Sequence, residues 1–206
     1  MRRLTSYAAI LLLALLLLPE VSLAQCPGST GPAPDPALGC GWISATSYQK
    51  MGSTNCWATV HFCWRNCPGW GLEVWVYQVD PDATNDCNDL SPVQLIWYAK
   101  DAADLAALGA NGSTPPCDPP TLQITSYIPG CWKATNVSSQ GRSYVICDAL
   151  AGCYCQKSCQ VCWNGGWVFS NCASVGPTGC ACVDSPAPEV ASAWILETCY
   201  SVPCQP

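Results

Sequence analysis

Four cysteines fall within the ten residues from Cys153 to Cys162, at positions 153, 155, 159 and 162. A C-x-C followed by a C-x-x-C is a spacing that thiolate metal clusters use, and C-x-x-C alone serves thiol–disulfide exchange. Which chemistry applies depends on the compartment, because cysteines of exported proteins are paired while those of the cytosol stay reduced. Arg2 and Arg3, an apolar run from Ala8 to Leu18, and Val21-Ser22-Leu23-Ala24 before Gln25 read as a secretory signal peptide over residues 1–24. A lipid anchor on Cys26 fits less well, since Gln25 stands where a small residue is expected. Without that anchor the processed chain has no attachment to a membrane. Cys153 and Cys155 would then point to one side of an extended chain and reach different partners. A cysteine-based metal site is the alternative, and no C-x-x-C-H signals haem or any other cofactor.

The same logic extends to all 18 cysteines. Cys26, Cys40, Cys56, Cys63, Cys67, Cys87, Cys117, Cys131, Cys147, Cys153, Cys155, Cys159, Cys162, Cys172, Cys180, Cys182, Cys199 and Cys204 are assigned to structural disulfides, with connectivity left open. Each bridge contributes a few kcal/mol, roughly 2 to 4, by restricting the unfolded chain. Such a scaffold suits a protein that persists among extracellular proteases.

Other groups could do chemistry. Asp80, Asp82, Asp86 and Asp89 follow an apolar run and offer hard oxygens for calcium, but the glycine and terminal glutamate of an EF-hand loop are missing, so a solvated turn is the simpler expectation. His61 is the one histidine. No Gly-x-Ser-x-Gly elbow accompanies it, and it reads as structural, with Arg65 nearby to disfavour protonation. Glu73 and Glu197 interrupt apolar strand faces, where burial would raise a carboxyl pKa, and as a pair they could serve a glycan hydrolase. Trp75 and Tyr77, and again Trp167 and Phe169, place rings two residues apart along a strand, a platform for a sugar or another apolar surface. Core packing is the competing role of those rings.

The charge narrows the partners. The chain carries 8 basic and 14 acidic residues, a formal charge of −6. Nucleic acid and anionic membranes need a basic face and are excluded as partners. An extracellular macromolecule or a glycan fits better. Asn111-Gly112-Ser113 and Asn136-Val137-Ser138 match the N-glycosylation pattern, the first in an accessible linker.

These residues must be positioned by strands. Gly71 to Val79 is apolar on both faces and predicts an interior strand, and Cys56 to Arg65 alternates with Cys56, Ala58, Val60, Phe62 and Trp64 on one face. Shorter strands are expected at Trp42–Tyr48, Val93–Tyr98, Leu122–Ile128, Arg142–Cys147, Trp167–Ser170 and Ala193–Tyr200, with a single short helix at Ala99–Leu108. Cys26, Cys40 and Cys56 lie 91 residues before Cys117, Cys131 and Cys147, and Cys63 and Cys67 lie 92 before Cys155 and Cys159. Cys87 precedes Cys180 by 93, and Trp75-Val76 matches Trp167-Val168. The expected architecture is all-β: two disulfide-rich modules, sandwich-like or irregular, related by internal duplication. The divisions are a Pro/Gly-rich segment at 25–37, module 1 at 38–108, a Gly/Pro-rich linker at 109–120 and module 2 at 121–206. Cys117 could belong to either module. The function read from these features is that of a secreted, non-catalytic protein with a structural, adhesive or ligand-binding role.

Overall fold

The computed structural model describes residues 26, 40–52, 54–82, 87, 89–120, 122–137, 141–147, 153–176, 182 and 199–204. Glu197, Asp86, Cys180, the signal segment and most of the Ala193–Tyr200 run lie outside them. Among the described residues nine strands form: β1 (Ile43–Lys50), β2 (Trp57–Cys67), β3 (Gly71–Pro81), β4 (Leu122–Pro129), β5 (Cys131–Val137), β6 (Gly141–Ile146), β7 (Tyr154–Trp163), β8 (Trp167–Val175) and β9 (Tyr200–Ser201). One helix, α1, spans Pro92–Asn111. The fold is mostly β, with many disulfides.

All nine strands belong to one branched sheet. Along one edge β3 pairs with β2, which pairs with β1. Along the other edge, Leu72 to Trp75 run parallel to β4, while Gln78 and Val79 pair antiparallel with β6. From there one branch continues through β7 to β8 and the other through β5 to β9. Both faces of β3 are covered as well, and Leu72, Val74, Trp75, Val76 and Val79 are all buried, as its near-continuous apolar run requires. The parallel step requires a long connection, which α1 supplies.

The helix corrects two expectations. Val93–Tyr98 is its first half, not a strand, and at 20 residues it is not short. The start signal sits at Ser91, whose hydroxyl accepts from the backbone of Gln94 while the Gln94 side chain accepts from Ser91 N–H; Pro92 follows at the first turn. Gly112, at φ 67°, ends it, so the expected linker begins with helix. Asn111 Nδ2, the atom a glycan would need, is buried, which removes the accessibility expected of that sequon.

Disulfides follow the chain's two halves. Cys26–Cys63, Cys40–Cys67 and Cys56–Cys87 lie in the first. Cys117–Cys162, Cys131–Cys182, Cys147–Cys199, Cys155–Cys204 and Cys159–Cys172 lie in the second. The pairing does not repeat at the sequence offset: Cys63 bonds Cys26, whereas Cys155 bonds Cys204 and not Cys117. The halves also share the β3–β4 ladder and are not two separate sheets.

Candidate functional site

Cross-strand register decides which side chains meet. Trp75 stands opposite Tyr127, and Tyr127 opposite Gln156. Val161, Cys159 and Lys157 alternate to the other face of β7, and Phe169 stands opposite Val161 while Trp167 stands opposite Trp163. The two aromatic pairs therefore lie on opposite faces of one sheet. Trp75 and Tyr77 are buried, Trp75 beside Tyr127 and Tyr154. Phe169 is 38 % exposed, and Trp167 meets Trp163 of β7 edge-on with ring centroids 5.1 Å apart.

Glu73 is 2 % exposed on the Trp75 face. Its Oε2 accepts from Arg65 Nε at 2.6 Å and its Oε1 from the Tyr127 hydroxyl at 2.8 Å. Arg65 is covered by the Trp42 ring, 4.4 Å above its guanidinium carbon. Burial, then the bond and charge of Glu73, push the Tyr127 hydroxyl well above the usual tyrosine range. Each oxygen of this carboxylate thus accepts a bond from a buried protein donor.

His61 Nε2 lies 2.7 Å from Asp80 Oδ2. Asp80 also accepts from Ser143 Oγ at 2.5 Å and from Gln78 Nε2 at 3.0 and 2.9 Å. Burial alone would raise the Asp80 pKa, but the bonds from His61, Ser143 and Gln78, with the charge of His61, hold it below the ordinary value. Ser143 and His61 thus meet the same carboxylate, the hydroxyl on Oδ1 and the imidazole on Oδ2. Asp82 accepts from the Tyr48 hydroxyl at 2.9 Å, and Asp89 is exposed in a turn. The structure thus engages two of the four candidate calcium ligands with protein donors.

Among the described residues the group with metal-ligand proximity is Cys131, Cys153 and Cys182. All three are in disulfides, so no thiolate is present to bind a cation. Cys155 reaches the C-terminal Cys204, Cys159 crosses to Cys172 on β8, and Cys162 reaches back to Cys117.

The remaining site was not legible in the sequence. Helix α1 packs on β1 to β4, and β8, at the edge of the sheet beyond β7, is largely exposed. Between them opens a groove of about 330 Å³ lined by Lys100, Asp101, Leu105, Lys157, Cys159, Phe169 and Cys172. Lys100 is buried and donates to Asp101 Oδ1 at 2.8 Å and Asp104 Oδ2 at 2.7 Å. Burial would lower its pKa, yet the charges of Asp104 and Asp101 outweigh that and raise it, so it stays an ammonium. Ser126 Oγ completes Asp104 at 2.7 Å, tying helix to β4. Of these residues the sequence reading singled out Phe169 as a binding residue and the cysteines as staples. A usable signal was the Lys100/Asp104 spacing of four on a helix face.

No protein-family model, curated protein or solved structure matches the chain.

Proposed function

We propose that this chain is a secreted, non-catalytic protein, stapled for persistence outside the cell, that holds a ligand at the β7–β8 end of its sheet. The disulfide content and acidic surface support export, since such bridges persist only in oxidising surroundings. The observation that carries the binding role is the groove itself. It is concave, rigidly backed by the Cys159–Cys172 bridge, and floored by Phe169 and Leu105, which are 38 % and 47 % exposed. Trp163, 41 % exposed and paired with Trp167, extends this apolar surface on the same face of the hairpin. The repeated cysteine spacing supports a duplication origin, with bridges that have since re-paired.

The test is a fluorescence titration with Nile red, a neutral apolar dye. Saturable binding, weakened about ten-fold by Phe169→Ser, is expected from the loss of one aromatic contact. A linear, non-saturating signal, or one indifferent to Phe169→Ser, would dismiss the groove as the binding site.

A further inference from the structure

We propose that the groove takes an amphipathic monocarboxylate, a carboxylate on an apolar chain or ring, with its head on Lys157 and its body against Leu105, Phe169 and the Cys159–Cys172 bridge. This rests on the reading of the groove as the ligand site. It adds the chemical class.

The argument is one of charge complementarity within an apolar cleft. Two ammonium groups and one carboxylate line the groove. Lys100 bonds both Asp101 and the buried Asp104, a cluster of one cation and two carboxylates, so it has no charge to offer a ligand. Lys157 has no ion-pair partner among the described residues. It is half-buried, at the base of a strand pinned on either side by Cys155–Cys204 and Cys159–Cys172. Its Cα is further fixed opposite Ser126, the residue that holds Asp104. A half-buried ammonium with no ion-pair partner of its own, set beside an apolar floor, favours a ligand with one acidic group, because the ion-paired hydrogen bond is stronger where water is partly excluded.

Other classes fit less well. A sugar ring would bring several hydroxyls to a lining whose polar groups are few and, apart from Lys157, already engaged with one another. A cationic amphiphile would meet Lys157 as a like charge. A neutral one would leave the ammonium desolvated without a partner. The volume lies at the small end of ligand pockets, which suits a medium chain or a single ring system.

The experiment displaces Nile red from the disulfide-intact protein with decanoate, decan-1-ol and decyltrimethylammonium, each below micelle formation. Decanoate should displace at roughly one-tenth the concentration that decan-1-ol needs, the cation being weakest. Lys157→Gln should abolish the advantage of the acid, and Lys157→Arg should keep it. Equal displacement by the alcohol and the acid, or an advantage that survives Lys157→Gln, overturns the inference while leaving the groove as an apolar ligand site. Failure of the dye itself to bind saturably removes both.

Discussion

Arg65 and Glu73 face each other across β2 and β3, Nε to Oε2 at 2.6 Å, with side chains only 4 % and 3 % exposed. The pair is closed above by Trp42 and below by the Tyr127 hydroxyl. Removing one charge from such a pair strands the other where water cannot reach it.

Glu73→Gln should therefore destabilise the fold by about 3 to 5 kcal/mol, read from denaturant midpoints with disulfides intact. Glu73→Gln combined with Arg65→Met should recover part of the loss, because no lone charge remains. A neutral effect of the single change would show that the carboxylate is not held as described.

Lys100→Met tests the second buried pair. Asp104 would keep Ser126 but lose its cation, and a cost of about 3 to 5 kcal/mol is expected. The pH dependence has a definite sign: because folding raises the Lys100 pKa, its stabilisation is complete below the unfolded value, about 10.4, and fades as pH rises through the folded one. The alkaline limb of a stability–pH profile should flatten in Lys100→Met.

Asp80 works in the opposite direction. Folding lowers its pKa, so the stabilisation is complete above the unfolded value, about 3.9, and is lost as pH falls through the lower folded value. Thermal midpoints measured below about pH 4 should drop less steeply in Asp80→Asn than in the parent, and the two slopes should coincide near neutrality.

Gly71 opens β3 at φ 84°, and a Cβ there would collide with the carbonyl oxygen of Gln123 in β4. Gly71→Ala should cost more than the roughly 1 kcal/mol of a simple conformational penalty, with faster hydrogen exchange at the β3–β4 ladder. Exchange unchanged there would mean that the strands tolerate the added methyl group.

Much of the strand layout was legible because alternation is local. The Gly71–Val79 run and the Cys56–Arg65 face reappear in β3 and β2 with buried Val60, Phe62, Val74 and Val76. Val93–Tyr98 misled because its apolar residues suit either period, and the deciding signal was the Ser91–Gln94 capping box one turn upstream. Register was not legible: that Trp75 and Phe169 lie on opposite faces follows from the β4–β7 pairing, a long-range fact. The groove likewise depends on where α1 stops covering the sheet, which no stretch of residues announces.

The six cysteines up to Cys87 bond only among themselves, so nothing covalent but the backbone joins the first part of the chain to the remainder. A protease nick between residues 88 and 116 would be silent in native buffer, where the shared sheet grips both pieces. In denaturant, with no thiol added, the same nicked molecule would fall into two fragments, each still internally laced.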